Sequence, residues 1–378
     1  MSRCRVLQIV ASSQGGGAEV LRCLVKELDP ARYESTVVMP DDGGQLSAAD
    51  FEIMGVRCLR FDMAAGFSLR EWWRLRRFVR DGAFDIVHCH GARAAFWARL
   101  AAAGPRRPKI VFGVHGLSIV HYRGLRRAAL LGVERVLQNV TDFTLCDSDA
   151  ERADVIRYGI APPERTRTVL NGIDLDRLAL PRLPRSGGET AVTVCRLNKP
   201  RDFETLLSAM RRVVDQLPSV RLLIVGDGPL RPAIEDRVRA LNLEEHVQLL
   251  GIVQDIVQPL IASDVFVLST QGWEGLPLAP LEAMAMCLPV VISDVGGNRK
   301  AVEDGVTGLV VPPQQPEALA DALLRLLRDR AMARRMGQLG RERVVREFSA
   351  QRMAAETAAV YAQLCPPRRP PSRPVTDQ

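Results

Sequence analysis

Short apolar runs rich in β-branched residues recur along the chain, and longer amphipathic stretches separate them. This alternation is typical of parallel strands joined by crossover helices. The first series predicts strands at Arg5–Ala11, Ser35–Met39, Val56–Phe61, Phe84–Cys89, Lys109–His115, Asp142–Cys146 and Thr166–Leu170. Helices are predicted between them, with Ala18–Leu28 and Gly124–Val140 the clearest. These elements indicate one α/β domain over residues 1–180.

The pattern stops at Leu180–Gly188, where two prolines and two glycines interrupt both periodicities. We expect an interdomain linker at residues 181–188. The alternation then resumes, with strands at Thr190–Cys195, Val220–Val225, His246–Gly251, Asp264–Ser269, Pro289–Ser293 and Thr307–Val311. It predicts a second α/β domain over residues 189–347. The expected fold is therefore α/β, with two facing Rossmann-like domains and a cleft between them.

Composition narrows the class of protein and its partners. Hydrophobic residues make up 47% and charged residues 25% of the 378, values that indicate a globular chain. The net charge of +7 comes almost wholly from arginine, which suits anionic partners such as phosphates or lipid headgroups. We expect no nucleic-acid partner. The proline-rich residues 366–378 have almost nothing to bury and are predicted to be disordered.

Cysteine spacing and apolar run length bear on location. Eight cysteines are scattered through the chain with no CxxC pair, as expected of reduced cytosolic thiols. The first apolar run, Val6–Ala11, is too short for the core of a signal peptide. No run approaches the roughly 20 apolar residues that a membrane-spanning helix requires. We expect a cytoplasmic protein whose contact with the inner face of the cell membrane could only be peripheral.

Two glycine turns follow predicted strands and could bring backbone amides close to a phosphate. The first, Gly15–Gly17, has Val20 where a dinucleotide-binding fingerprint needs its third glycine. The second, Gly226–Gly228, has Arg231 at the corresponding position. Dehydrogenase chemistry is therefore disfavoured, and a plain tight turn remains an alternative for the first site.

The most specific pattern is a pair of carboxylates, Glu274 and Glu282, separated by seven residues that turn a loop into a helix. Pro277 suits the start of a helix, where missing amides are tolerated, and the free N–H groups of Leu278 and Ala279 can point toward a diphosphate. Glu274 on the loop can accept hydrogen bonds from sugar hydroxyls, and Glu282 can reach a ribose.

These motifs together resemble glycosyltransferase family 4, the retaining enzymes with the two-domain GT-B fold. The resemblance runs from about Val6 to Phe348 and depends on the order and spacing of its motifs. They are GGGAE at Gly15–Glu19, DIVHCHG at Asp85–Gly91, VHG at Val114–Gly116, NGID at Asn171–Asp174, CRL at Cys195–Leu197, GDGPL at Gly226–Leu230, the Glu274–Glu282 segment and DGVTGLVVPP at Asp304–Pro313.

The resemblance implies a nucleotide-sugar donor bound to the C-terminal domain and an acceptor bound to the N-terminal domain. The implied donor-binding residues are Gly16, Gly17, Arg196, Arg201, Gly228, Val253, Leu278, Ala279 and Glu282, with His115 and Glu274 catalytic. It also implies transfer without a metal or other cofactor, by front-face attack in which the departing phosphate takes the acceptor proton. The helix at residues 348–365 is expected to return to the N-terminal domain, as in the family.

Three positions depart from the family pattern. Arg201 stands where lysine is usual, which keeps the charge and changes the geometry. Cys287 replaces a common glycine, and Lys300 occupies a position where the family usually has an acid. The last two bear on local loop shape and on donor preference.

Two polar clusters admit simpler explanations. Asp147–Asp149 resembles a metal-binding DxD motif, yet Ser148 and Glu151 have the spacing of a capping box, and helix capping is favoured. His88 and His90 could suggest a metal site, but strand alternation sends the intervening Cys89 to the opposite face. For His90, an acceptor contact at the edge of the cleft and packing remain equal alternatives.

The segment Ser68–Arg80 has the amphipathic pattern of an interfacial helix. It sets Leu69, Trp72 and Val79 against Arg70, Arg74, Arg77 and Arg80. An anionic membrane surface and a core-facing helix are equal alternatives here. Trp72, Trp73, Arg74 and Arg77 are therefore candidates for contact with a membrane or a lipid-linked acceptor.

The sequence thus predicts a retaining glycosyltransferase for envelope or exopolysaccharide synthesis. It would transfer a hexose or an N-acetylhexosamine from a nucleotide diphosphate sugar, with UDP favoured over GDP, to a lipid-linked or saccharide acceptor. The alternatives are a sugar phosphorylase or nucleotide-sugar epimerase on the same fold, and a non-catalytic GT-B partner subunit.

Overall fold

A computed structural model describes residues 3–44, 46–63, 68–105, 107–178 and 188–366. The predicted linker lies outside these residues except for Gly188, and the predicted disordered tail does so except for Pro366. Within the described residues, the chain forms two parallel β-sheets with helices packed on their faces. No helix in this part of the chain is long and apolar enough to cross a membrane.

The N-terminal sheet has seven strands in the order β3-β2-β1-β4-β5-β6-β7. Its strands are β1 Cys4–Val10, β2 Tyr33–Met39, β3 Arg57–Arg60, β4 Ile86–His90, β5 Lys109–Gly113, β6 Phe143–Cys146 and β7 Thr166–Thr168. The helices are α1 Gly16–Glu27, α2 Ala48–Glu52, α3 Leu69–Asp81, α4 Ala92–Ala102, α5 Gly124–Leu137 and α6 Asp149–Arg157. Short 3₁₀ turns lie at Ser118–His121, Gln138–Val140 and Pro163–Arg165.

The C-terminal sheet has six strands in the order β10-β9-β8-β11-β12-β13. These are β8 Thr190–Val194, β9 Arg221–Val225, β10 Val247–Gly251, β11 Val265–Leu268, β12 Val290–Ser293 and β13 Gly308–Val311. The helices are α7 Phe203–Gln216, α8 Arg231–Ala240, α9 Val257–Ile261, α10 Leu278–Ala285, α11 Asn298–Ala301, α12 Pro316–Arg328, α13 Arg330–Glu347 and α14 Ala350–Leu364.

The predicted strands are confirmed, each within two residues of its expected bounds. Their apolar runs are continuous because both faces of a parallel sheet are covered by helices. Strand β4 illustrates this, since all five of its residues are buried. The expected α/β fold with two Rossmann-like domains is therefore confirmed.

The last helix, α14, packs against α1 of the N-terminal domain. The Tyr33 hydroxyl on β2 donates to the carbonyl oxygen of Ala358 at 3.1 Å. Where the chain enters this helix it meets the segment that leaves β7, because the N–H of Ile173 donates to Phe348 O at 2.9 Å. Gly172 is required there, since a Cβ at this residue would lie 2.4 Å from Ser349 O. These crossings and one shared apolar cluster join the two domains.

Candidate active site between the two sheets

A cleft of about 590 Å³ lies between the two domains, at the carboxyl ends of the strands. Ligands of open α/β sheets bind at such edges. Of the residues predicted from sequence, those that line it are Gly16, Gly17, His115, Arg196, Arg201, Val253, Glu274, Leu278, Ala279 and Glu282. The structure therefore brings both carboxylates, both arginines and parts of both glycine turns into a single space.

Two helix N-termini meet across the cleft. Helix α1 begins at Gly16, after Gly15 with a φ of +79°, and α10 begins at Leu278 after Pro277. A Cβ on Gly16 would lie 3.8 Å from the Leu278 side chain, so the two ends are in contact distance. Free N–H groups and the positive ends of two helix dipoles therefore point into one place, which suits a diphosphate.

The two predicted phosphate-binding arginines differ in their surroundings. Arg196 is exposed at the cleft wall, and within the part of the chain that the structure describes it forms no ion pair. Its Cδ lies 3.4 Å from a Cβ built on Gly15, so the side chain reaches the opposite domain. Arg201 instead pairs with Glu274 and donates to Thr270 Oγ1 at 3.0 Å. Arg196 thus offers the uncompensated positive charge.

Glu274 is held by a glycine pair that contributes no side chain. The N–H of Gly297 donates to Glu274 O at 2.9 Å. A Cβ on Gly296 would lie 2.1 Å from that same oxygen, and one on Gly297 would lie 1.7 Å from Gly275 O. Only glycine allows the two loops to approach this closely. The neighbouring Lys300 lies on α11 and does not line the cleft.

Glu282 is half-buried in the second turn of α10, where it lines the cleft. Burial and the nearby Glu19 carboxylate raise its pKa to about 7, while Arg177 and Arg22 act in the opposite direction. Its carboxyl group therefore titrates close to neutral pH in the empty protein. When ionised it can accept two hydrogen bonds from a vicinal diol.

A charged cluster beside Glu282 was not predicted from sequence. Arg22 on α1 donates to Glu19 at 2.6 Å and to Asp174 at 3.2 Å, and Arg177 lies 3.3 Å from Glu19. Glu19, Arg22 and Arg177 line the cleft. Glu19 and Asp174 fall within quoted motifs, but only the fold shows that these motifs meet across about 150 residues of sequence.

His115 occupies a strained position at the cleft wall. Its backbone has a φ of +49°, which is uncommon for a residue with a side chain and is often found at functional sites. Nδ1 lies 3.1 Å from Asp147 Oδ1, and Nε2 lies 2.9 Å from His90 Nδ1. Burial would lower the pKa of His115, but the Asp147 carboxylate outweighs it and the net shift is upward.

His90 does not lie at the acceptor edge of the cleft, and that alternative for it is wrong. It is only 4% exposed and does not line the large cleft. Strand β4 turns its ring inward, where it bonds to His115 and to Gln8. Burial, followed by the neighbouring rings of His88 and His115, lowers its pKa well below the usual value.

The helix-capping interpretation of Ser148 is confirmed. Its hydroxyl accepts from the N–H of Glu151 at 3.1 Å at the start of α6. The Glu151 carboxylate does not complete a capping box, because it accepts instead from the N–H groups of Asp147 at 2.7 Å and Gly116 at 2.9 Å. Asp147 is left to face His115 and Asn171, whose amide donates to it at 3.0 Å.

Of two predicted donor-binding residues in the C-terminal domain, one lines the cleft and the other does not. Val253, after β10, lines the cleft. Gly228 lies outside the lining, and a Cβ there would lie 2.5 Å from Leu197 O. Its small size is required by backbone packing. Gly226 and Asp227, earlier in the same turn, line the cleft instead.

Helix α3 is amphipathic, as predicted, and its apolar side chains are divided between the domain core and the surface. Of the two alternatives for the apolar side of this helix, the core-facing one holds for Val79, which is 3% exposed and packs with Leu75 in the domain core. Trp72 is partly buried against the same core, whereas Trp73 is 57% exposed. Arg74 and Arg77 are exposed on the outer side, where they pair with Glu71 and Asp81. None of these four candidate residues lines the cleft.

Two family models match consecutive parts of the chain. "Glycosyltransferase Family 4" matches residues 14–177, and "Glycosyl transferases group 1" matches residues 188–329. A phosphatidyl-myo-inositol mannosyltransferase from Mycobacterium leprae is 33% identical over 308 residues, which cover 78% of this chain and 78% of that protein. The Escherichia coli UDP-Gal:alpha-D-GlcNAc-diphosphoundecaprenol alpha-1,3-galactosyltransferase is 25% identical over 77% of this chain and 78% of its own.

Among solved structures, Anabaena Alr3699/HepE in complex with UDP and glucose superposes with a TM-score of 0.81 at 20% identity, covering 95% of this chain and 100% of that one. The fold, the cleft and these matches thus define a glycosyltransferase of the GT-B type. The chain belongs to glycosyltransferase family 4.

Proposed function

We propose that this enzyme transfers a hexose or an N-acetylhexosamine from a UDP-sugar to a lipid-linked or saccharide acceptor, with retention of anomeric configuration. The setting would be the synthesis of an envelope glycolipid or an exopolysaccharide. Support comes from the cleft and from relatives whose names include a UDP-galactose donor, a diphosphoundecaprenol acceptor and a phosphatidyl-myo-inositol acceptor.

The observation that carries the proposal is the meeting of the N-termini of α1 and α10 beside Arg196. A nucleoside diphosphate leaving group acquires negative charge as its bond to the sugar breaks. Preorganised N–H groups and an unpaired guanidinium stabilise that charge in a closed cleft. Arg201 can add a second positive charge once Glu274 turns to the sugar hydroxyls.

In the proposed reaction, the bond between the anomeric carbon and the diphosphate oxygen breaks while the acceptor oxygen bonds to the same carbon from the same face. The acceptor proton goes to the departing phosphate oxygen. We propose that neither a metal nor another cofactor takes part, because Arg196, Arg201 and the two helix N-termini supply positive charge at this place. Glu282 would bind the ribose, and Val253 would border the base.

We also propose that the N-terminal domain makes peripheral contact with an anionic membrane. Helix α5 supports this because ten of its 14 residues are exposed, including Leu125 at 91% and Val136 at 68%. Trp73, Arg74 and Arg77 are exposed apolar and basic residues on α3 of the same domain, which is the one assigned to the acceptor. Interfacial helices combine these features.

A donor screen tests the proposal. Thermal unfolding is measured with UDP, GDP, ADP and their common sugar conjugates, with and without EDTA. A bound ligand raises the melting temperature because it binds only the folded state. A UDP-specific shift that persists in EDTA is expected, whereas a shift confined to GDP or one abolished by EDTA would contradict the donor or the metal-free mechanism.

Turnover separates transfer from its alternatives. With the selected donor, Glu274→Ala should abolish transfer while Glu245→Ala, which removes an exposed carboxylate outside the cleft, should leave it unchanged. Product anomers are assigned by NMR, and an inverted product would overturn retention. Formation of sugar 1-phosphate from inorganic phosphate would indicate a phosphorylase. Conversion of the donor sugar without an acceptor would indicate an epimerase. Donor binding without any turnover would indicate a non-catalytic partner subunit.

A further inference from the structure

A buried hydrogen-bond chain connects the last helix of the protein with the cleft. It runs from Tyr361 on α14 through Gln8 on β1 and His90 on β4 to His115. Gln8 Nε2 donates to the Tyr361 oxygen at 3.1 Å, and Gln8 Oε1 lies 2.9 Å from His90 Nε2. His90 Nδ1 in turn lies 2.9 Å from His115 Nε2. The chain reaches the cleft only at His115.

Packing alone does not account for these residues. An unbonded polar group inside a protein costs about 1–3 kcal/mol, whereas apolar residues of the same size carry no such penalty. Val6, on the same face of β1 as Gln8, is apolar and wholly buried. A glutamine, a tyrosine and two histidines in this layer instead bond to one another as a connected set, and we infer that the set acts at the end that reaches the cleft.

The backbone is adapted to the rings. A Cβ on Gly113 of β5 would lie 3.0 Å from His115 Nε2 and 3.1 Å from His88 Nε2, so glycine leaves the space in which both rings sit. His88 is itself tied to the chain, because its Nδ1 lies 2.6 Å from the Tyr361 hydroxyl. The ring positions are therefore set by three strands and α14 together.

The order of donors and acceptors determines which atoms carry protons. Burial keeps His90 neutral by lowering its pKa, so that its ring carries a single proton. That proton lies on Nε2, which faces the carbonyl oxygen of Gln8. His90 Nδ1 is then an acceptor and takes a hydrogen bond from His115 Nε2. His115 Nδ1 faces the Asp147 carboxylate and is also a donor.

We propose that Gln8 and His90 are positioning residues that hold the His115 ring with a proton on each nitrogen, giving the cleft wall a fixed positive charge beside the donor. The inference rests on the proposed donor reaction, in which this charge would stabilise the departing diphosphate. Two residues that do not line the cleft, Gln8 and His90, would then affect catalysis. Helix α14 would also affect it, through Tyr361.

The charges around His115 act together. Asp147 and Glu151, from the loop before α6 and from α6 itself, favour the charged ring, and both are buried. Burial and Asp147 raise the pKa of Glu151, so Asp147 is the principal counter-ion. His90, from β4, disfavours a second charge nearby. Across the cleft, Arg201 and Glu274 neutralise each other.

The test uses ¹⁵N NMR of the full, ligand-free chain labelled at histidine, with signals assigned by single histidine substitutions. At pH 6.5, the ordinary pKa of histidine, most His115 rings are expected to carry a proton on each nitrogen, because the Asp147 carboxylate raises the pKa of this ring. Gln8→Met removes the acceptor for His90 Nε2–H, so His115 should become neutral at this pH. Gln8→Glu keeps the acceptor and should keep the doubly protonated ring. Thr144→Val alters a buried residue of β6 that does not belong to the hydrogen-bond chain, and it should have no effect on His115.

Kinetics adds a second measurement. In Gln8→Met, kcat is expected to fall at least tenfold at pH 6.5 with the donor KM within threefold of wild type, and the loss should shrink toward pH 5.5 as His115 regains its proton. A singly protonated His115 in the wild type would overturn the proposal even if the variant fails to fold. A doubly protonated His115 ring in Gln8→Met would also overturn the proposal. A singly protonated His115 ring in Gln8→Glu would overturn it as well. If the enzyme transfers no sugar, the NMR result still decides the proton pattern separately.

Discussion

At the scale of single residues, two positions in or after α10 have unusual properties: Glu282 in its carboxyl pKa and Cys287 in its backbone conformation. Glu282 is a carboxyl group whose pKa is raised into the neutral range by burial and by Glu19. Cys287 follows the last turn of the helix with a φ of +58°, a conformation that favours glycine. The first property concerns binding of the donor, and the second concerns stability.

The donor KM should depend on pH through Glu282. Because the folded pKa of about 7 lies above the usual 4.5, the carboxyl group is largely protonated at pH 6 and accepts fewer hydrogen bonds from a ribose. KM is expected to rise severalfold between pH 8 and pH 6, with little change in kcat. Glu282→Gln should remove this dependence and raise KM at pH 8; a KM that still follows pH in the variant would assign the titration elsewhere.

The same shift affects stability with a fixed sign. A raised carboxyl pKa means that folding favours the protonated form, so the stabilisation from this group is complete below about pH 4.5 and is lost as pH rises through about 7. Glu282→Gln should therefore stabilise the empty protein more at pH 8 than at pH 6. Urea unfolding at the two pH values, compared with wild type, measures the difference.

Cys287→Gly should stabilise the protein without changing turnover. The left-handed conformation costs a residue with a Cβ about 1–2 kcal/mol, while the greater freedom of glycine in the unfolded chain offsets about 0.5–1 kcal/mol of the gain. A net increase of about 1 kcal/mol in unfolding free energy is expected by denaturant titration. Cys287→Ala is the matched control, since it removes the thiol and keeps the Cβ; equal stabilisation by both variants would assign the effect to the thiol.

Helices and strands, the next scale, determine where the charges of the cleft meet. The two helices that face each other begin at residues with no side-chain cap, so their first N–H groups remain free for a ligand. By contrast, α6 and α7, which do not begin at the phosphate site, have Ser148 and Asp202 as side-chain caps. Helices α4, α5, α8 and α12 also begin without a side-chain cap, so α1 and α10 are distinguished by the position of their free N–H groups at the cleft.

Gly17 tests this arrangement. A Cβ on this residue would have no atom within 4 Å, so the protein itself does not require glycine there. Gly17→Ala should stabilise α1 by up to about 1 kcal/mol and raise the donor KM at least tenfold, because the methyl group enters the space of the diphosphate. Gly132→Ala on α5 is the control, since it is equally unobstructed and lies outside the cleft. An unchanged donor KM in Gly17→Ala would remove this residue from the donor site.

Elements were predictable to different degrees. Apolar runs such as β4 mark strands because burial on both faces leaves a continuous signal along the sequence. The hydrogen-bond chain of Gln8 could not be predicted, since its partner Tyr361 is 353 residues away and a lone glutamine in a strand has no periodicity. The two alternatives for α3 stayed open for a related reason, because helical periodicity identifies an apolar face and does not show whether protein or lipid covers it.

At the scale of the whole molecule, the two domains differ in what they expose. The apolar and basic surface of α3 and α5 belongs to the N-terminal domain, while Arg196, Arg201 and α10 come from the C-terminal domain. The domains are joined where the segment after β7 pairs with the entry to α14. An enzyme attached to a membrane through α3 and α5 would keep its donor domain free to move about these crossings.

Vesicle binding decides whether this surface is used. Each arginine near an anionic surface contributes about 1 kcal/mol, so replacing Arg70, Arg74 and Arg77 together by Ala should weaken binding to phosphatidylglycerol vesicles about a hundredfold. Replacing Arg212, Arg239 and Arg325 of the C-terminal domain removes the same charge from exposed positions and should have a smaller effect. Because the binding is electrostatic, wild-type affinity should also fall as salt rises from 0.05 to about 0.5 M. Equal losses from the two triple variants would mean that net charge alone draws the protein to the membrane, and that α3 has no special place in acceptor delivery.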